Sequence, residues 1–205
     1  MKKRWSDYLW VAELLYLALG LCNILFAWLG MLFVAIPLLV AVIGGNKAYC
    51  NRFCGRGQLL GLLGGRLKLS RNVPPPRFLR SRWFRYGFLA FFMTMFALMV
   101  FSTYQVFTGA PLRQTVTLLW VFKLPWQWAR VDLAAPWVAQ FAFGFFGVML
   151  TSTVLGLTTM VLFRPRSWCV YCPMGTMTQG ICRLKQGKGC AGCGRTGEEN
   201  CGAFK

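Results

Sequence analysis

The chain has 205 residues, of which 57% are hydrophobic and only 14% are charged. Soluble domains carry about 25% charged residues, so this composition argues against a soluble protein and predicts an integral membrane protein. The formal net charge is +18. Because the basic residues cluster at the ends of apolar stretches, anionic lipid and membrane topology explain them better than nucleic-acid binding.

The first apolar stretch, 9–43, contains a single charged residue, Glu13. A membrane span needs about 20 residues, so this stretch is too long for one span and slightly short for two. Gly30 lies near its middle. The pattern therefore predicts a tight hairpin of two helices, at roughly 6–28 and 30–46.

A cysteine motif follows the second predicted span, in the sequence YCNRFCGRGQ with Cys50 and Cys54. The surrounding loop, 47–85, holds ten basic residues and no acidic residue. Three consecutive prolines at 74–76 stop any helix there and separate the first half of the chain from the second.

The second half contains two further predicted spans, at about 86–107 and 136–163. The segment between them, 108–135, is rich in tryptophan, which favours the membrane–water boundary. We expect this segment to lie along the outer interface and to be partly helical. The fourth span is rich in small residues that allow close packing, namely Gly144, Gly147, Thr151, Ser152, Thr153 and Gly156.

A second cysteine motif, WCVYCPMGTM with Cys169 and Cys172, follows the fourth predicted span. Four more cysteines come after it, at Cys182, Cys190, Cys193 and Cys201. This arrangement divides the chain into a membrane core with two cysteine motifs, 1–180, and a short cysteine-rich cytoplasmic tail, 181–205.

Charge placement supports four spans with both termini in the cytoplasm. Of the 23 basic residues, 20 fall at the N-terminal end, in the 47–85 loop or after position 163. Four spans place all three regions on one side, which the positive-inside rule identifies as the cytoplasm. Three spans would put the basic loop outside. The predicted fold class is an all-α protein of the inner membrane, with four transmembrane helices.

The two cysteine motifs form an internal repeat. CGRGQL, starting at Cys54, and CPMGTM, starting at Cys172, both read Cys-x-x-Gly-x-(Leu/Met). Each half of the core is thus two helices followed by a cytoplasmic cysteine motif, a tandem two-helix repeat. Parallel repeats are related by an axis along the membrane normal, so both motifs are expected at the same depth on the same face.

The clustered cysteines and the absence of histidine predict metal centres ligated by thiolates alone. A 4Fe-4S cluster needs four thiolates, and two cysteine pairs supply them. The simplest division gives two sites. Site one takes Cys50, Cys54, Cys169 and Cys172, and site two takes Cys182, Cys190, Cys193 and Cys201. Nearby arginines would offset the negative charge of a cluster, at Arg52, Arg56, Arg164 and Arg166.

Other assignments of the cysteines stay open. Cys182 could join Cys169 and Cys172 in a different division of ligands. Both sites could instead hold structural zinc with four thiolates each, and zinc is the stronger rival at site two. Disulfides are disfavoured on the reducing side of the membrane. The ninth cysteine, Cys22, is expected to be a small buried apolar residue.

The motifs resemble those of the polytopic membrane iron–sulfur proteins of the NapH/NosR type. That family has a four- or five-span core with paired Cys-x-x-x-Cys-Pro motifs on the cytoplasmic side. The resemblance covers about residues 5–180 and rests on Cys50, Cys54, Cys169, Cys172, Pro173 and Gly175. The chain departs from the family at Gly55, where the family has proline, and in a second motif with two intervening residues instead of three.

The resemblance implies one or two 4Fe-4S clusters and electron transfer between a cytoplasmic or quinol donor and an extracytoplasmic reductase or flavoprotein. The protein would act as a subunit of a redox complex, with a ferredoxin, flavoprotein or reductase as partner. A quinone is a candidate for a further cofactor. No catalytic residue stands out. The alternative hypothesis is a membrane scaffold or a metal-handling or assembly factor with all-cysteine zinc or copper sites. Glu13 is a candidate for proton or quinol chemistry; alternatively it lies at a shallow depth, where it is solvated or paired with a basic residue.

Overall fold

The computed structural model describes residues 8–44, 53–119, 122–125 and 135–186, and this part of the chain is mostly helical. The N-terminal half contains α1 (Leu9–Cys22), a 3₁₀ helix (Ile24–Leu29), α2 (Gly30–Gly44), α3 (Gly55–Gly61) and a π-helical turn (Leu62–Arg66). The C-terminal half contains α4 (Arg77–Arg80), α5 (Arg82–Phe107), strands β1 (Thr115–Leu118) and β2 (Phe122–Pro125), then α6 (Pro136–Leu162), α7 (Trp168–Tyr171) and α8 (Pro173–Gln186).

The N-terminal hairpin turns at Asn23, so the boundary predicted at Gly30 is wrong. Asn23 has an extended backbone, and its side chain accepts a hydrogen bond of 3.1 Å from the Leu25 amide. This side chain caps the following 3₁₀ helix, a role for which asparagine is well suited. Gly30 has an ordinary helical conformation and continues the helix into α2.

Three described helices are long and apolar enough to cross a membrane, by length and composition: Ile24–Ile43, Arg82–Phe107 and Pro136–Leu162. The last two agree closely with the spans predicted at 86–107 and 136–163. The first predicted span does not form one helix, because Asn23 interrupts it. With 14 residues, α1 is about 21 Å long, against a hydrocarbon layer of about 30 Å.

Helix α6 lies at the centre of the bundle and packs against α5, the 3₁₀ helix and β1. Its inner surface includes Phe143, Phe145 and Phe146, all of which are almost fully buried. The small residues of this helix serve packing, as predicted: a Cβ at Gly144 would meet Met99 of α5, and one at Gly156 would meet Leu60 of α3 and Trp168 of α7.

The segment after α5 contains an antiparallel pair of strands, β1 and β2, in which Val116 pairs with Leu124. The prediction of a partly helical interfacial segment is therefore wrong for 115–118 and 122–125. Strand β1 packs along the middle of α6, next to Gly147 and Thr151. Val116 in this strand is fully buried. Just after the strand, the Leu119 amide donates a hydrogen bond of 3.3 Å to Thr151 Oγ1 of α6.

The contact between β1 and α6 depends on a glycine. A Cβ at Gly147 would lie 2.7 Å from the Thr117 carbonyl oxygen. We expect Gly147→Ala to destabilise the protein by about 1–3 kcal/mol, because the strand backbone must move away from the helix. Thermal unfolding in detergent measures this. Gly87→Ala is the matched control, since its Cβ would enter open space. If both variants lower the unfolding temperature equally, the contact between Gly147 and β1 is not the cause.

The cysteine motifs meet at one end of the bundle. Helix α3 packs against the start of α1, where a Cβ at Gly55 would lie 2.7 Å from the Leu9 carbonyl oxygen. Helix α8 packs against α2 and α5, and α7 contacts α5 and α6. An aromatic cluster supports this end, with Phe84, Phe88, Trp168 and Tyr171 in mutual ring contacts.

Candidate metal centre

Cys54 caps the N-terminus of α3. Its sulfur accepts a hydrogen bond from the Gly57 amide, with a nitrogen–sulfur distance of 3.5 Å. A sulfur at this position receives the partial positive charge of the helix N-terminus, which favours a thiolate. The first motif therefore presents Cys54 on a fixed backbone. Cys50, its predicted companion, lies outside the described residues.

The second motif forms a helical turn followed by a new helix. Cys169 lies within α7, and Cys172 follows it as the residue before Pro173, the first residue of α8. Proline suits the first position of a helix because it has no N–H to leave unpaired there. The Thr176 hydroxyl and amide both donate to the Cys172 carbonyl oxygen, at 3.1 and 3.0 Å. These bonds fix the backbone around Cys172.

The cysteines of the two motifs converge beside Gly57. A Cβ placed on this glycine would lie 3.6 Å from the Cys169 sulfur and 3.7 Å from the Cys54 sulfur. Cys54 and Cys169 are 115 positions apart in the sequence (169 − 54), yet their sulfurs border one small space, which a side chain at Gly57 would enter. Cys172 lies close to Cys169: a Cβ built on Gly175 would be 3.9 Å from the Cys172 Cβ and 3.8 Å from the Cys169 carbonyl oxygen.

The charge state of Cys54 reflects this crowding. Burial raises the pKa of its thiol, and the neighbouring Cys172 raises it further, against the lowering effects of the Gly57 hydrogen bond and Arg56. With the net pKa above its ordinary value, Cys54 keeps its proton at neutral pH in the metal-free protein. Metal binding must release that proton, because the thiolate is the ligand.

The donor set fits an iron–sulfur cluster. Three thiols of predicted site one, Cys54, Cys169 and Cys172, belong to the same end of the bundle, and glycine leaves space between two of them. Within the described ranges, no three histidine, cysteine or carboxylate side chains are arranged to hold a single metal ion. The fourth predicted ligand, Cys50, is not among these residues.

The structure does not test site two, because Cys190, Cys193 and Cys201 lie outside the described residues. Its first member, Cys182, is fully buried in α8. No disulfide joins the five cysteines that the structure describes. Cys22 is exposed at the C-terminal end of α1, so the expectation that it is buried is wrong. The helix ends there, at the Asn23 turn.

A buried ion pair between Arg56 and Glu13 borders the first motif. The sequence did not indicate which basic residue would pair with Glu13. Arg56 donates from Nε and Nη2 to the Glu13 carboxylate, at 2.8 and 2.6 Å. It also donates to the Ser152 hydroxyl of α6. Of the alternatives left open for Glu13, the structure shows pairing with a basic residue, and its burial excludes a solvated position. Glu13 is the one acidic residue in 9–43, and a lone carboxylate in an apolar stretch indicates that it has a partner. The partner itself could not be identified from the local sequence, because 43 positions separate Glu13 from Arg56.

Gly55 explains one departure from the NapH/NosR-type motif. Because a Cβ here would lie 2.7 Å from the Leu9 carbonyl oxygen, the close packing of α3 on α1 excludes proline and every other side chain. Arg166, one of the predicted charge-compensating residues, lies next to α3, with its Nε 3.4 Å from a Cβ built on Gly61.

Comparison with known families found a match to the model of a 4Fe-4S binding domain over residues 26–76 and 140–189, together just under half of the chain. The first segment contains Cys50 and Cys54, and the second contains Cys169, Cys172 and Cys182. The match supports an iron–sulfur protein and the presence of an iron–sulfur cluster. Comparisons with curated proteins and with solved structures found no significant match.

Proposed function

We propose that this protein is a membrane-bound electron-transfer protein that holds a 4Fe-4S cluster between its two halves. The observation that carries the proposal is the convergence of the Cys54 and Cys169 sulfurs beside Gly57. A site built from two distant segments needs both halves folded together, which suits a cofactor that the whole bundle encloses. The 4Fe-4S family match to both segments agrees with such a shared site.

The proposed ligands of this cluster are Cys50, Cys54, Cys169 and Cys172. When bound, the cluster supplies one-electron redox chemistry, and the protein supplies binding and electrostatics. The Gly57 amide donates to the Cys54 sulfur, and such hydrogen bonds raise the reduction potential of a cluster by stabilising negative charge on sulfur. The packed aromatic rings around Trp168 and Tyr171 exclude water from one side of the site.

We further propose four membrane crossings as two tandem two-helix repeats, with α1 as a short first crossing. Helix α1 starts next to α3, at the cysteine end of the bundle. It ends next to the 3₁₀ helix, which packs on the opposite end of α6, where Trp28 donates to the Val138 carbonyl oxygen. This path favours an inner-membrane protein with the cysteine end in the cytoplasm, where most basic residues also lie.

The proposed partners follow from the resemblance to the NapH/NosR type: a cytoplasmic or quinol donor, such as a ferredoxin, and an extracytoplasmic reductase or flavoprotein. The basic loop around α4, with Arg77, Arg80, Arg82 and Arg85, is suited to anionic lipid and to an acidic redox partner. A second cluster at Cys182 and the tail cysteines is part of this proposal.

Metal analysis of anaerobically purified protein tests the proposed function. We expect brown protein with iron and acid-labile sulfide near four each per cluster, and an EPR signal on reduction with dithionite. Zinc bound to colourless protein would instead establish the alternative, a scaffold or metal-handling factor with all-cysteine sites, and would end the electron-transfer proposal.

A further inference from the structure

Glu13 and Arg56 form a pair of opposite charges inside the bundle. Glu13 is only 2% exposed, and it is the one acidic residue within the described ranges. Both Nε and Nη2 of Arg56 donate to the same carboxylate oxygen, Oε1. Burying two charges costs several kcal/mol in desolvation, so such a pair is weak evidence for stability and invites another explanation.

The position of Arg56 suggests that explanation. Arg56 comes two residues after Cys54, in the first turn of α3. Its guanidinium also donates to Ser152 and approaches the Met149 sulfur of α6, with Nη2 3.5 Å away. The side chain therefore joins α3 to α1 and α6, and it holds a positive charge next to the converging cysteines.

A fixed charge in this position acts on a redox centre. Reduction adds one electron to a cluster that already carries four thiolates, so a nearby positive charge favours reduction and a nearby negative charge opposes it. Such effects are weakly screened where both charges are buried. Arg56 and Glu13 therefore have opposite effects on the reduction potential. Because the pair has no net charge, Glu13 cancels much of the effect that Arg56 would have alone.

We propose that Glu13 and Arg56 are positioning residues that set the reduction potential of the site-one cluster, with Glu13 holding that potential down by compensating the charge of Arg56. The inference rests on the proposed function. No bond forms or breaks at the pair during reduction, and in the experiment below dithionite supplies the electron.

The test is an EPR-monitored redox titration of purified Glu13→Gln in detergent. Glutamine keeps the shape of the side chain and an oxygen that accepts from Arg56, but it leaves the charge of Arg56 uncompensated. We expect the equilibrium constant for reduction to rise about tenfold, which is about 59 mV for a one-electron couple. A change below threefold, or a fall, overturns the inference.

Two further variants separate charge from structure. Adding Arg56→Gln to Glu13→Gln restores neutrality, so the equilibrium constant should return to within threefold of that of the unchanged protein. A double variant that keeps the tenfold rise contradicts the inference. Arg113→Gln, which removes an exposed charge near the opposite end of α6, is the matched control and should leave the potential unchanged.

The outcomes distinguish this inference from the proposed function. If Glu13→Gln fails to assemble a cluster, Arg56→Gln is titrated instead, because it removes the positive charge and leaves Glu13 in place. The inference expects the equilibrium constant for reduction to fall about tenfold in this variant. A change below threefold, or a rise, overturns the inference. Absence of iron and sulfide from the unchanged protein contradicts both the proposed function and this inference. If the protein binds the cluster but its reduction potential does not change in Glu13→Gln, only the inference is contradicted.

Discussion

Cys54→Ser and Cys172→Ser are each expected to remove the same cluster, with the loss of about four iron atoms and its EPR signal. In the proposed site both halves of the chain supply ligands, and the Cys54 and Cys169 sulfurs border the space at Gly57. Serine is a poor substitute because the soft thiolate is the ligand that iron–sulfur clusters require. Iron and sulfide analysis of each anaerobically purified variant measures the loss.

The double variant gives the sharpest form of this prediction. If Cys54 and Cys172 ligate one cluster, Cys54→Ser/Cys172→Ser loses no more iron than either single variant, because the cluster is already gone. Two independent sites would give additive losses, which would contradict the shared site. Cys22→Ser is the matched control, since Cys22 is exposed at the end of α1. This variant should keep its full iron content.

Gly57→Ala is expected to remove most of the iron without harming the fold. The added methyl carbon would lie 3.6 Å from the Cys169 sulfur and 3.7 Å from the Cys54 sulfur, which is ordinary contact in the metal-free protein. A cluster bound to both sulfurs needs that space. The backbone of Gly57 is helical and accepts alanine, and replacing glycine in a helix stabilises it by about 0.5–1 kcal/mol.

This variant separates cofactor binding from folding, which the cysteine variants do not. We expect the metal-free Gly57→Ala protein to unfold at the same temperature as the metal-free parent, or slightly higher, while its iron content falls. Gly87→Ala, near the start of α5, where a Cβ would enter open space, should gain similar stability and lose no iron. Full iron content in Gly57→Ala would show that the cluster does not occupy the space between these sulfurs.

Long uniform features of the fold were predictable from local sequence. The spans at 86–107 and 136–163 match α5 and α6 within a few residues, because a continuous apolar run of that length has few alternatives. The turn between α1 and the 3₁₀ helix was misplaced, since Gly30 looked like the stronger helix breaker. The Asn23 side chain decided the turn by bonding to the Leu25 amide.

Strand β1 was missed for a related reason. A tryptophan-rich segment next to a membrane span is typical of an interfacial helix, and no local signal shows that the strand packs along α6. That packing depends on Gly147, which allows the Thr117 carbonyl to approach, and on Thr151, which accepts from the Leu119 amide. Both residues lie about 30 positions from their partners, beyond the reach of any periodicity.

Residue types and their spacing were sufficient to predict metal ligation by thiolates in a membrane protein. The features that predict it are eight clustered cysteines without histidine, two matching motifs, and apolar runs with basic ends. These are properties of residue type and spacing, and they do not depend on how the helices are arranged. In contrast, the positions of Cys54 and Cys169 beside one space and the pairing of Glu13 with Arg56 depend on how the helices pack. Contacts between segments follow from how surfaces pack and how buried charges are neutralised, and neither is encoded in local sequence.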